Sequence, residues 1–299
     1  MGKTEIGEGV SLHTARYRVA VGEAADLAAW PTRDAPVCAS HKEFEAMLAA
    51  HIEALGEQQA RLYAADSHAV LLILQGMDAA GKDGVIGHVM SGVNPQGCQV
   101  TSFKQPTSLE LRHDFLWRAA KALPARGMIG LFNRSYYEEV LVVRVHHELL
   151  AGEGLDPDHG RKRLWRDRYR SIRDFEAHLS RNGVRIVKIF LHLSKDEQKR
   201  RFLARIDDAD KNWKLTAADI AERAYWDKYQ KAYARCIDAT TTKTSPWYVV
   251  PADDKESARL IVSQILLDTL MDLDLQWPHA SADHVAELKS VRRALAEED

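Results

Sequence analysis

Apolar residues recur along this chain in two rhythms, and the switches between them mark out its elements. Over residues 41–65, Phe44, Met47, Leu48, Ile52, Leu55, Leu62 and Tyr63 fall at helical spacing, which predicts a helix. The apolar run AVLLILQ, residues 69–75, predicts a first strand after it. Further strand-like stretches at about residues 99–104, 128–133, 184–193 and 247–250 are separated by helical patterns. Five strands alternating with helices predict an α/β fold, a five-stranded parallel sheet between helices. Connections of this kind are right-handed, and ligands gather at the carboxyl ends of the strands. Residues 1–40 lack any sustained rhythm, with Gly7, Gly9, Gly22, Pro31 and Pro36 scattered through them. They are expected to form an irregular arm packed on one domain over residues 41–299.

Composition narrows the class. With 299 residues, 45% hydrophobic and 28% charged, the chain can bury a full core as a folded, soluble protein. A net charge of -2 gives no global pull toward nucleic acid or membrane, and neither partner is expected. Cys38, Cys98 and Cys236 are odd in number and widely spaced, which points to reduced thiols, no disulfide and no zinc site. The N-terminus lacks a hydrophobic signal core, so a cytoplasmic location is expected.

The chemistry begins where the first strand ends. GMDAAGKDG, residues 76–84, matches the GxxxxGK spacing through Gly76, Gly81 and Lys82. In such a loop successive backbone N–H groups turn inward around an anion, so Gly76, Ala79, Ala80, Gly81, Asp83 and Gly84 are expected to line a phosphate pocket. Lys82 would reach a terminal phosphate, and the following helix adds its N-terminal dipole. Asp83 stands where a Ser or Thr usually gives its hydroxyl to Mg²⁺, which leaves Asp78 as the expected metal ligand. The competing reading is an ordinary glycine-rich turn with a solvated lysine.

A second polar cluster, Asn133 to Glu139, follows the strand-like MIGLF. Asn133 occupies the place where many phosphate-loop kinases have an acid, Arg134 would grip an oxyanion through its planar fork, and Glu138 or Glu139 would supply negative charge. The alternative is a helix N-cap with acids in its first turn. A third feature, SKDEQKRRFLAR at residues 194–205, starts with Ser194 and Glu197 at capping-box spacing. Its Lys199, Arg200, Arg201 and Arg205 predict a basic helix, read as part of a mobile helical lid over about residues 195–226 and weighed against a solvated face. Arg161, Lys162, Arg163, Arg166, Arg168, Arg170 and Arg173, with Lys104, Arg112, Arg118 and Lys121, predict positive surface suited to a long polyanion. Lys104 joins the expected phosphate-binding set. Trp165, Tyr169, Ile172, Phe175 and Leu179 read as core, Trp213 and Trp226 as packing residues, and His146 and His147 as ordinary polar positions.

These motifs together resemble the polyphosphate kinase 2 family. The resemblance is carried by GMDAAGKDG (76–84), GVNPQG (92–97), SFKQPT (102–107), FNRSYYEEVLVVRV (132–145), FLHLSKDEQKRRF (190–202) and SPWYVVPADDK (245–255), in order over roughly residues 40–275. It is nearest to the subgroup with asparagine before the arginine, which acts on nucleoside mono- and diphosphates. The resemblance implies a phosphate-loop kinase fold similar to thymidylate kinase, and phosphoryl transfer between inorganic polyphosphate and nucleotides with Mg²⁺. It implies that Asp78 and Lys82 are the Walker A acid and lysine, that Asn133, Arg134 and Glu138 form the second motif, and that Arg201 and Arg205 lie in the lid. Tyr136 stands where some relatives carry His or Trp. A homo-oligomer, dimer or tetramer, is also implied. The rival expectations are a nucleoside monophosphate kinase using ATP as donor and a non-catalytic nucleotide-binding regulator.

Overall fold

The apolar run before the glycine-rich loop becomes the central strand. The computed structural model describes residues 12–156 and 161–298. Its strands are β1 (Ala69–Gly76), β2 (Cys98–Ser102), β3 (Ile129–Asn133), β4 (Val184–His192) and β5 (Trp247–Pro251). All pair in parallel, in the order β2-β3-β1-β4-β5. Among the described residues the α-helices are α1 (His41–Ala65), α2 (Lys82–Val89), α3 (Trp117–Ala120), α4 (Glu138–Val145) and α5 (Arg161–Arg181). They continue as α6 (Lys195–Asp207), α7 (Ala217–Glu222), α8 (Trp226–Thr240), α9 (Lys255–Met271) and α10 (Ala282–Ala296).

Every residue of β1 is buried, because its alternating side chains feed two cores. Leu71 and Ile73 join Phe132, Val140, Ile172 and Tyr233 on the face of α4, α5 and α8. Val70, Leu72 and Leu74 join Leu55, Val85, Ile261 and Leu266 on the face of α1, α2 and α9. The expected core residues Trp165, Tyr169, Ile172 and Leu179 are buried, with Phe175 packed beside them. Register then fixes the site: Leu74 pairs with Asn133, and Asn133 pairs with Ser102. The phosphate loop, the Asn133–Arg134 turn and the chain after β2 therefore leave the sheet at one level.

Between β4 and the α4–α5–α8 layer lies a buried ion pair. Lys188 (0% exposed) donates from Nζ to Glu176 (1% exposed) at 2.6 Å, to the Thr240 carbonyl at 2.7 Å and to the Tyr137 hydroxyl at 3.1 Å. Tyr136 and Tyr137 both donate to the other Glu176 oxygen, at 2.8 and 2.7 Å. Removing one partner strands a charge in the core, so Glu176→Gln is expected to lower stability by about 3–5 kcal/mol. A denaturant midpoint shift at constant slope measures it, and a loss under about 1 kcal/mol would contradict the pairing.

The described part of the arm, residues 12–40, closes the β5 edge: Val19 N donates to Trp247 O at 2.9 Å, and Arg18 bridges Tyr248 antiparallel. The earlier arm residues, 1–11, lie outside the described residues. At the other end, α10 buries no residue and exposes Val285, Leu288, Val291 and Leu295. Among the basic positions of α5, Arg168 is buried and paired with Glu153 and Glu139, while Arg163, Arg166 and Arg170 face solvent beside Asp167 and Asp174. The Arg161 side chain lies outside what is described.

Candidate active site

Residues 76–84 form a loop that only small residues permit. A Cβ on Gly76 would stand 3.0 Å from both the Ala80 Cβ and the Leu191 carbonyl oxygen, and Gly81, the N-cap of α2, lies at φ +104°. Ala79 takes the left-handed conformation at φ +63° without a glycine. Lys82, first residue of α2, folds beneath this loop: its Nζ donates to Gly76 O at 2.7 Å and Met77 O at 3.2 Å. An ammonium has three donors, so one remains for an anion held in the loop.

Burial, reinforced by the Arg134 guanidinium and opposed by Asp78, Glu138 and Asp83, pushes the Lys82 pKa down from 10.5 to about 8. The folded chain therefore binds fewer protons at Lys82 than the unfolded chain between about pH 8 and 10.5, and its stability contribution rises with pH across that window. In the absence of phosphate, thermal unfolding of the protein minus that of Lys82→Met should climb over this range. A flat difference would contradict the desolvated lysine.

Arg134 closes the mouth of the loop. Its Nη2 meets Asp78 Oδ1 at 2.7 Å and its Nη1 meets Glu138 Oε2 at 3.2 Å. Glu138, opposed by burial and aided by Asp78, raises its pKa above the ordinary arginine value, so the fork stays charged. The backbone here is strained: Arg134 sits at φ +63°, and its N–H turns back to Leu74 O at 3.0 Å. Buried contacts hold the turn, since Ser135 Oγ accepts from Gln75 Nε2 and from Tyr137 N, both at 3.2 Å. Asn133 Nδ2 donates to Asp83 Oδ1 at 2.7 Å, tying the end of β3 to the first turn of α2. Of the two acids in α4, Glu138 faces this site. Glu139 points away, between Arg168 (3.5 Å) and Arg118 (3.6 Å), where burial first and then Glu153 push its pKa up to about 7.

The basic face of α6 divides. Arg201 is 6% exposed and lies under the loop: Nη1 donates to Ala79 O at 3.0 Å and Ala80 O at 3.1 Å, Nε to Glu197 at 2.7 Å, and Nη2 to the Ala252 and Asp253 carbonyls. It braces the loop instead of hanging over it. Arg200 is held by Glu197 through two 2.6 Å bonds, Arg205 is half-buried beside Phe202, and Lys199 is exposed. Lys104 is exposed beyond β2, its carbonyl accepting from Arg118 at 2.8 Å.

A cleft of about 420 Å³ opens beyond Arg134, lined by Asp78, Glu138, Gln198, Glu222, Arg223 and Tyr229 among others. Sequence reasoning missed four of these. Gln198 shares a helix face with Arg201 and Arg205, which was a usable signal; its Nε2 donates to Asp78 O at 2.9 Å and its Oε1 accepts from Arg223 at 2.7 Å. Glu222 and Tyr229 had none. His146, read as an ordinary polar residue for want of a Cys or acid at ligand spacing, pairs with Glu148 at 3.2 Å and, because the fold brings α7 against the end of α4, with Glu222 at 3.0 Å. Trp213, expected to pack, is 72% exposed, whereas Trp226 is buried.

Among the described residues no three His, Cys, Asp or Glu side chains converge as a metal cluster. Mg²⁺ needs less, being held by one or two carboxylates together with substrate phosphates. Asp78 and Glu138, hard oxygen donors flanking Arg134 beside the loop, fit that requirement.

The family model described as Polyphosphate kinase 2 (PPK2) matches residues 38–277. The ADP-polyphosphate phosphotransferase of Rhodopseudomonas palustris is 54% identical over 287 residues, covering 96% of this chain and 99% of its own. The AMP/ADP-polyphosphate phosphotransferase of Meiothermus ruber is 46% identical over 224 residues, covering 75% of this chain and 80% of its own. The crystal structure of polyphosphate kinase 2 from Arthrobacter aurescens TC1 superposes with a TM-score of 0.85 at 44% identity, covering 96% of this chain and 97% of that one.

Proposed function

Because the chain belongs to the polyphosphate kinase 2 family, we propose that it is a phosphotransferase moving a phosphoryl group reversibly between inorganic polyphosphate and nucleotides, with ADP as acceptor and AMP or GDP as further acceptors. The observation that carries this reading is Arg134, held charged between Asp78 and Glu138 where the phosphate loop meets an open cleft. The amides of residues 76–84 and Lys82 hold the terminal phosphate of the donor, and the acceptor nucleotide enters the cleft from the Glu138 side. An anionic phosphate oxygen of the acceptor attacks the terminal phosphorus in line. That P–O bond forms as the bridging P–O bond breaks, and the chain leaves one unit shorter, its new terminal oxygen carrying the electron pair. The acceptor oxygen needs no general base and no covalent enzyme intermediate arises. Lys82 and Arg134 stabilise charge spreading over the transferred group, which is the main task in this chemistry. Mg²⁺, held through Asp78, would screen the converging phosphates.

The helices over about residues 195–226 form a lid on a single domain of residues 41–299. Exposed Lys199 and half-buried Arg205 reach the polyanion on closure, while Arg201 positions the loop. A cytoplasmic site of action is supported by three free thiols. A net charge of -2 and the lack of a helix long and apolar enough to cross a membrane, among the described residues, support a reading without nucleic-acid or membrane partners. The unpartnered apolar stripe of α10 supports a homo-oligomer, dimer or tetramer.

The test is a donor swap. With ADP, Mg²⁺ and long-chain polyphosphate as the only phosphates, ATP should form in proportion to polyphosphate consumed. A strict requirement for added ATP, or AMP accumulating at the same rate without polyphosphate, would overturn the assignment.

A further inference from the structure

Ala79 holds a left-handed conformation at φ +63° without a glycine, so the phosphate loop stores strain that its surroundings must outweigh. Two side chains of α6 supply that support. Arg201 Nη1 donates to the Ala79 and Ala80 carbonyls, and Gln198 Nε2 donates to the Asp78 carbonyl. The residue that seats α6 is Asp253, just beyond the end of β5. Its Oδ1 accepts from the N–H of Ser194, the N-cap of α6, at 2.8 Å, and its carbonyl accepts from Arg201 Nη2 at 3.3 Å. One residue thus fixes both the root of the helix and the guanidinium that holds the loop.

The other carboxylate oxygen of Asp253 faces the N-terminal arm. Thr32 Oγ1 donates to Oδ2 at 2.9 Å, and Asp253 N donates back to Thr32 O at 2.9 Å. Beside this pair, Arg33 Nη2 reaches the Asp253 carbonyl at 3.4 Å, and Val37 N donates to Ser257 Oγ in the first turn of α9 at 3.2 Å. Asp253 is 9% exposed, and its two oxygens are taken by groups 59 and 221 residues away. Hydrogen bonds to a carboxylate are stronger than neutral ones, and the paired side-chain and backbone bonds to Thr32 allow one register between arm and sheet. Thr32 and Arg33 precede the family-model match, which begins at residue 38.

We propose that Asp253 is a positioning residue for phosphoryl transfer and that Thr32 latches it from the arm. Neither touches substrate. Together they seat α6 so that Arg201 and Gln198 keep the carbonyls of residues 78–80 engaged and leave the loop amides for the donor phosphate. Donors held in place beforehand need no reorganisation at the moment of reaction, so loosening this clasp slows turnover. The inference rests on the phosphoryl-transfer reading and gives the arm a part in it.

The experiment measures kcat, the KM for ADP and the unfolding midpoint of Asp253→Ala, Asp253→Asn, Thr32→Val and Thr32→Val/Asp253→Ala, with long-chain polyphosphate as donor and well below every midpoint. Asp253→Ala should lower kcat about tenfold, short of the roughly 10²-fold that a 1 Å misplacement costs, while the KM for ADP moves less than about twofold. Thr32→Val should lower kcat about threefold in the parent and leave it unchanged in the Asp253→Ala background, because the two residues act through one bond. Asp253→Asn should regain most of the loss, since its Oδ1 still accepts from Ser194 N and the Thr32 hydroxyl can turn to accept from its Nδ2. If Asp253→Ala fails to fold, Thr32→Val carries the test alone. Native kcat in Asp253→Ala, or in Thr32→Val where the alanine variant does not fold, overturns the clasp. So do additive losses in the double variant, or an asparagine variant no better than the alanine one. Absence of any ATP formation from polyphosphate by the unaltered protein overturns the transfer reading and the clasp's role with it.

Discussion

Lys82→Ala is expected to lower kcat on the order of 10²–10³-fold, the loss seen when one preorganised donor to a developing charge is removed. Its Nζ lies beneath the loop with one donor still free, so it supplies charge where the transferred oxygens gather without reorganising at the moment of reaction. Stability should barely respond. The substitution leaves the Gly76 and Met77 carbonyls unpaired, costing roughly 1–3 kcal/mol, but it also removes a buried ammonium whose desolvation already depresses its pKa. A variant with native kcat, or one that loses activity only because its unfolding midpoint collapses, would refute the role.

Arg134→Gly should separate the guanidinium from the backbone that presents it. A non-glycine residue at φ +63° carries about 1–2 kcal/mol of left-handed strain, which glycine relieves. The two ion pairs it loses are partly solvated, with the arginine side chain 39% exposed, and each contributes about 0–1 kcal/mol. Net stability should therefore stay within about 1 kcal/mol of the parent. Turnover should fall on the order of 10³-fold, the lower end for an arginine that stabilises a phosphoryl-transfer transition state. Arg134→Lys keeps a charge and loses the planar fork, so its kcat should lie between the two. Equal activity in the lysine variant and the parent would reduce Arg134 to a point charge.

The fold was legible because its signals are local. β1, β3, β4 and β5 are mainly apolar runs while β2 is mostly exposed, and the structure moves the strand ends by no more than about two residues, as in β2, which stops at Ser102 instead of running to residue 104. The glycine-rich loop was legible for the same reason: nine consecutive residues carry its geometry. Arg134 could be found because the strand before it ends at a polar residue, and the parallel register aligns that end with the loop. What sequence could not supply is which way a helix faces and what meets it across the fold. Arg201 and Arg205 lie on one helical face and looked equivalent, yet Arg201 alone abuts the loop carbonyls and is buried by them. The pairing of His146 with Glu222 spans 76 residues and depends on how α7 settles on α4, so no spacing rule anticipates it. Trp213 looked like packing material because of its size, but it lies in the turn before α7 with its indole N–H on the Asp210 carbonyl.

On this mechanism the phosphoryl group reaching the nucleotide comes from the condensed-phosphate chain held in the loop. The most direct measurement follows that phosphorus itself, with polyphosphate labelled uniformly with radioactive phosphorus, unlabelled ADP and Mg²⁺. The expected product is ATP whose γ-phosphate carries the full specific activity of the polyphosphate while its α and β positions stay unlabelled. Unlabelled ATP, formed together with AMP, would contradict the mechanism, because the phosphate would then have come from a second nucleotide.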